Sequence, residues 1–259
     1  MATSRKGSAA PLDDIVYKRN HLCNVIARLD LVTPIQEVGQ RLPDAVRSAA
    51  LTHYPAEDPR QAVLQQVVLG LTSAPGPSEA FVEWHFHGPS REKEFVIIPS
   101  AVFVEWTRYE RYESLRSEFM SVVEAFLEAY PAAQIGRIGL RYVNVIELGQ
   151  GAPLDWTPYI ERGLLGVLRY AARQPGASRV VHHIEWVRDG LSLALRFGVP
   201  NPDYPAPARR RSFFLDYDAY HQGLLESSDI GDQLDRHHAA IQGLFEANIT
   251  DALREEMSQ

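Results

Sequence analysis

Two arginines four residues apart, Arg137 and Arg141, flank Gly139 in the stretch RIGLRYVN, whose surrounding pattern reads as a buried strand. Guanidinium groups can pair with carboxylates on neighbouring strands, or grip an anionic or planar group settled over a residue that has no side chain. Along a strand the two Cα atoms lie roughly 13 Å apart, too far for one carboxylate and suited to an extended ligand. Successive strand side chains point to opposite faces, so parity sorts the other strand-like runs in the same way. Glu83 and His85, His183 and Glu185, and Arg196 fall on the polar face with the arginines, as do His87, Glu105, Asp216 and Asp218. Cross-strand pairs of opposite charge contribute roughly 0.2–1 kcal/mol each, so a mixed-sign lattice can solvate an open face without binding anything. The competing expectation is an anion site drawn from Arg137, Gly139, Arg141, Glu83, His85, His183, Glu185 and Arg196.

Other residue sets could do chemistry, and each has a plainer reading. HFH (His85, His87) and HHIE (His182, His183, Glu185) place imidazoles at alternate strand positions, a spacing that can hold a metal but is common on exposed sheets. No metal is expected. Asp216 and Asp218 could hold Mg²⁺, yet no Gly-rich phosphate loop accompanies them, and they read as a strand end turning toward solvent. Asp229, Asp232 and Asp235 suit a helix N-terminus, and DRHH (Asp235 to His238) reads as helix surface. No G-x-S-x-G elbow is present, and Cys23 sits in an apolar strand context that favours an inert buried thiol. In RYERYESLR, Arg108, Tyr109, Arg111 and Tyr112 form an aromatic and basic set suited to a protein partner. Neither a catalytic motif nor a cofactor motif is recognisable, and a non-enzyme is favoured.

The elements that must position these residues follow from periodicity. LCNVIARLDL reads as a strand, 33–51 as a helical region broken near Pro43, and 61–70 as a strand or short helix. AFVEWHFHG, KEFVIIPS and AVFVEWTRY, separated by Gly88-Pro89-Ser90 and Pro99-Ser100, predict an antiparallel meander. An amphipathic helix with Leu115, Phe119, Val122, Val123, Phe126 and Leu127 on one face follows, ending at Pro131. The second half repeats the order: a strand from Ile135 to Leu148, a helix from Trp156 to about Arg173, a hairpin turning at Asp189-Gly190, the strand SFFLDYD, and a helix from Ile230 to Met257. In the hairpin, Ile184 and Trp186 are expected on the covered face. The expected fold is α+β: a long, mostly antiparallel sheet from two pseudo-repeated strand-helix-strands-helix halves, with helices packed on one face. Residues 1–14 are expected to form a flexible lead-in, and 15–133 and 134–259 the two halves, packed as one compact unit.

The whole composition limits the functions available. At 259 residues and 45% hydrophobic content the chain can bury a sizeable core. A net charge of -7 disfavours sequence-independent nucleic-acid binding, which needs a surplus of cations. No apolar run approaches the roughly 18 residues of a membrane span, and the first residues lack the apolar centre of a secretory signal. With Cys23 as the single cysteine, a cytoplasmic location is expected.

RIGLRYVN, together with YKRNHLCNVIARLDL, YERYESLRSEF and FEANITDALREEM, resembles a family of sporadically distributed, uncharacterised bacterial proteins over nearly the whole chain. The most specific marker is an Arg-x-Gly-Leu-Arg-Tyr-x-Asn core, matched by Arg137, Gly139, Leu140, Arg141, Tyr142 and Asn144. The resemblance implies no catalytic residues, and the patchy occurrence of the family implies a role such as phage defence or a toxin–antitoxin-like system. The expected function is a non-enzymatic binding or interaction module with a protein partner or a homo-oligomeric state. The alternative is a ligand sensor or enzyme taking a small anion or nucleotide on the polar face.

Overall fold

The computed structural model describes residues 17–68, 74–149 and 151–259, with backbone alone at 64–68 and 74–79. The lead-in expected at 1–14 lies outside the described residues.

Alternating apolar residues drive the first strand, β1 (Leu22–Leu31), which sends Val25, Ala27, Leu29 and Leu31 to one buried face. A 3₁₀ turn at Gln36–Gly39 and α1 (Asp44–His53) follow, divided by Pro43, whose extended backbone precedes the helix. Then come β2 (Ala56–Val68), β3 (Ala74–His87), β4 (Lys93–Ile98), β5 (Ala101–Trp106) and α2 (Tyr112–Ala129). The second half runs β6 (Ile135–Glu147), a 3₁₀ turn at Arg162–Leu165, α3 (Gly166–Ala171), β7 (Val180–Arg188), β8 (Leu191–Val199), β9 (Ser212–Leu225), α4 (Ile230–Asn248) and α5 (Asp251–Ser258).

All the strands join one nine-stranded sheet in the order β2-β3-β4-β5-β1-β6-β9-β8-β7, and every neighbouring pair is antiparallel. Read outward from the central β1–β6 pair, each half places its last meander strand next to its first and continues through the meander in reverse. The helices lie on one face, where α2 buries Leu115, Phe119, Val122 and Phe126 and α4 buries Ile230, Leu234 and Ile241. Trp106 and Tyr54 anchor the first half of this core, with the indole N–H donating to the Tyr54 hydroxyl at 3.2 Å.

Several expectations need correction. The helix expected from Trp156 starts only at 162 and ends at Ala171, because the preceding segment is used as a clamp: Ile160 bridges Ile249, and the Glu161 N–H donates to the Asn248 carbonyl at 2.8 Å. The same clamp divides the expected C-terminal helix into α4 and α5, with Ile249 held extended (φ −111°, ψ 156°) between them. Residues 61–68 are strand, within a β2 that begins earlier, at Ala56; 69 and 70 lie outside the described residues. β9 runs well past Asp218 to Leu225, so Asp216 and Asp218 sit in mid-strand and not at a solvent-facing end. Cys23 is exposed, because it lies at the start of β1 at a register shift between Leu22 and Asn24, which takes it out of the buried alternation of Val25, Ala27 and Leu29. DRHH is not simple surface: His237 is fully buried under α4, and Asp235 and His238 are engaged with α2 and β6.

Candidate functional site

The Arg-x-Gly-Leu-Arg-Tyr-x-Asn stretch is divided by the pleat of β6. Ile138, Leu140, Tyr142 and Asn144 go to the helix side, while Arg137, Gly139 and Arg141 go to the polar face. On that face Arg141 makes a two-toothed pair with Asp216, Nε to Oδ1 and Nη2 to Oδ2, both at 2.8 Å. Arg196 Nη1 donates to the same carboxylate at 3.2 Å, so one nearly buried aspartate holds two guanidiniums. The hydrogen bonds to Asp216 raise the Arg141 pKa above its ordinary value.

Arg137 bends back across Gly139. A Cβ built on Gly139 would lie 3.0 Å from both terminal nitrogens of Arg137, so the gap beside the glycine is filled by the chain's own guanidinium. That group also sits 4.7 Å from the Tyr220 ring centre and donates to Asp30 at 3.4 Å, with Asp218 at 3.5 Å. Burial pushes the Asp218 carboxyl upward, against the pull of Arg137, Arg141 and Arg196. An incoming anion would have to displace these carboxylates.

The remaining polar-face candidates lie elsewhere. His85 Nδ1 is 2.5 Å from Glu94 Oε1 and its Nε2 is 3.2 Å from Glu83, while Arg60 Nη2 lies 3.3 Å from His87 Nε2. At about 4.8 Å per strand, four steps separate β3 from β6 by roughly 19 Å. His183 and Glu185 pair with each other at 3.1 Å on edge strand β7, beyond β9 and β8. Arg137, Gly139, Arg141 and Arg196 therefore form one cluster, which Glu83, His85, His183 and Glu185 do not join. Among the described residues, no group of three or more His, Cys, Asp or Glu could hold a metal ion.

The aromatic and basic set divides as well. Arg108 and Arg111 remain exposed, Arg108 near Glu92 at 3.5 Å and Arg111 donating to the Ser114 hydroxyl at 3.3 Å. Tyr109 and Tyr112 turn inward. The Tyr142 hydroxyl lies 3.2 Å from that of Tyr109 and 2.9 Å from His238 Nδ1, and the Tyr112 ring stacks in parallel on His238 at 3.9 Å. Tyr112 also donates to Asp235 at 2.6 Å, and burial is the main reason its hydroxyl pKa rises. Tyr109, Tyr142 and His238 border a small cleft between β1, β6 and α4 that Asn144 and Gln242 also line. Its cavity is about 70 Å³, against the roughly 300–1,000 Å³ usual for small-molecule pockets. Sequence reasoning missed this cleft, although Tyr142 and Asn144, polar residues on the covered parity, were its available signal.

A second missed feature is the outer strand. Ile184 and Trp186 share the helix-side face of β7, opposite Leu195 and Leu193 of β8, yet they are 37% and 41% exposed. The reason is the shortness of α3, which stops at Ala171 and covers only the beginning of β7 near Val180. On the opposite face Val181 is 55% and Val187 80% exposed. The other sheet edge is guarded: β2 carries Glu57, Asp58 and Arg60 around Pro59, which cannot donate to an added strand. β7 carries neither proline nor lysine and pairs with β8 without a bulge.

No protein-family model matches the chain, and no curated protein matches it.

Proposed function

We propose that this protein is a non-enzymatic interaction module that joins a protein partner along the β7 edge. The observation that carries this reading is the flat edge without proline, lysine or bulge: besides Glu185 and Arg188, the apolar Val181, Ile184, Trp186 and Val187 stand exposed on a nine-residue outer strand. Such an edge offers a row of free backbone donors and acceptors, and soluble chains ordinarily blunt it when it has no partner. The polar face adds a secondary argument. Its arginines are taken up by Asp30, Asp216 and Asp218, which suits a structural lattice better than an open anion grip.

The test is affinity capture of the tagged chain from its native cells, comparing wild type with Val187→Lys shown to melt at the same temperature. A partner recovered with wild type and lost with the variant is the expected result. The same companions from both proteins would overturn the reading. A thermal shift with nucleotides or inorganic phosphate that vanishes in Arg137→Ala/Arg141→Ala would instead favour a ligand-sensing role for the polar face.

A further inference from the structure

We infer that the partner of β7 is β7 of a second copy of this chain, paired antiparallel about a two-fold axis through Ile184. The inference rests on the preceding reading that the β7 edge is an interface, and it names the occupant and the register.

Backbone geometry limits the registers. Asp189 and Gly190 both have positive φ, 52° and 76°, the two-residue turn typical of tight hairpins. Its i to i+3 hydrogen bond makes Arg188 and Leu191, which are register partners, a hydrogen-bonded pair. Bonded and non-bonded pairs alternate along an antiparallel ladder, so the even-numbered residues of β7 bond to β8. The N–H and C=O groups of Val181, His183, Glu185 and Val187 therefore point outward, and among the described residues no other strand pairs with them. A symmetric antiparallel pair must be centred on a residue to match outward groups with outward groups.

Side chains choose among those centres. Centring on Glu185 sets two glutamates face to face, and centring on His183 sets Val181 against Glu185 of the other copy. With Ile184 at the centre, His183 meets Glu185, an imidazole donor against a carboxylate acceptor, twice by symmetry. Val181 meets Val187, Ile184 meets itself, and His182 meets Trp186. The inner pairs are then complementary in charge or apolarity, with an imidazole on an indole at His182 and Trp186, and only at the strand ends does an apolar residue, Val180, meet a cation, Arg188.

The covering of the sheet points the same way. In this arrangement the uncovered end of β7, with Trp186, lies beside the beginning of the other copy's β7, where α3 packs. Val167 and Tyr170 of α3 are exposed large apolar residues on that side of the sheet. The helix that is too short to cover its own strand would be placed against the exposed strand of its neighbour.

The test uses purified full-length protein and two readouts. In sedimentation against concentration, wild type is expected to show a monomer–dimer equilibrium. His183→Glu, which opposes like charges at both ends, should weaken the dimer at least about tenfold, and His183→Glu/Glu185→Lys should restore it. In a Cys23→Ser background, Ile184→Cys should form an intermolecular disulfide on mild oxidation. His182→Cys should not, because the two copies of position 182 lie about 14 Å apart, beyond the roughly 7 Å limit for a disulfide. A wild-type monomer at all concentrations, or a dimer indifferent to both charge variants, would overturn the inference. If the monomeric protein still loses a captured partner on Val187→Lys, the interaction reading stands with a different occupant. If nothing is lost in either experiment, both fail.

Discussion

Arg137 lies across Gly139 two residues further along its own strand, close enough that a single added carbon on the glycine would meet both terminal guanidinium nitrogens at 3.0 Å. Gly139→Leu should therefore push the guanidinium away from Asp30, Asp218 and Tyr220. We expect a loss of about 1–2 kcal/mol in urea unfolding, since these pairs are only partly shielded from water. Most of that loss should vanish in an Arg137→Ala background, and equal losses in both backgrounds would show that the two residues are not coupled.

Asp216 is the anionic centre for Arg141 and Arg196. Asp216→Ala leaves two guanidiniums facing each other with the carboxylate gone. Because both arginines keep substantial contact with solvent, the expected cost is about 2 kcal/mol, below the figure for a fully buried pair. Denaturant unfolding measures it directly, and a change within about 0.5 kcal/mol would contradict the role given to Asp216.

His237 is fully buried, and both ring nitrogens lack a hydrogen-bond partner among the described residues. Burial lowers its pKa from 6.5 to about 4, with Arg236, His221 and Arg137 adding to the shift. Between those values the unfolded chain binds a proton that the folded chain does not. Stability is thus expected to fall as pH drops from 6.5 toward 4, by up to about 3 kcal/mol from this group. His237→Leu should flatten that part of the profile, and an unchanged slope would assign it to other groups.

Gly198 holds φ at +144°, and a Cβ there would come within 2.0 Å of the Val180 carbonyl oxygen. Gly198→Ala is expected to detach the beginning of β7 from β8 as well as strain the backbone, at a cost of about 2–3 kcal/mol. Hydrogen exchange of amides 180–188 should accelerate in the variant before the rest of the sheet changes.

Much of the architecture was legible because parity and burial coincide in the central strands. Val25, Ala27 and Leu29 of β1, or Phe213, Leu215 and Tyr217 of β9, fall on one buried parity, and apart from Ile26 and Phe214 the residues between them are polar. The turn at Asp189-Gly190 carried its own conformation. What escaped was structure imposed from a distance. No glycine or proline marks the end of α4, since the break at Ile249 comes from its bridge to Ile160, far earlier in the chain. The start of β2 reads as polar because its Glu57-Asp58-Pro59-Arg60 becomes strand by pairing with β3 at an edge, without burying a face. Parity assigned Trp186 to the helix side correctly but could not say that α3 would end too soon to cover it. Likewise it placed Arg137, Arg141, His85 and His183 on one face, and had no means of giving the number of strands between them.

The central β1–β6 pair has a consequence for how the chain comes into being. β1 belongs to the first half, yet one of its two edges is completed only by β6, from the register Leu22 with Asn144 to Leu31 with Ile135. A ribosome that has released residues up to 133 has therefore exposed a meander and two helices whose innermost strand still lacks a neighbour. Until the next dozen residues emerge, that vacancy can be filled by the same strand of another nascent chain, so pauses in translation just after α2 are where misassembly of this protein would begin.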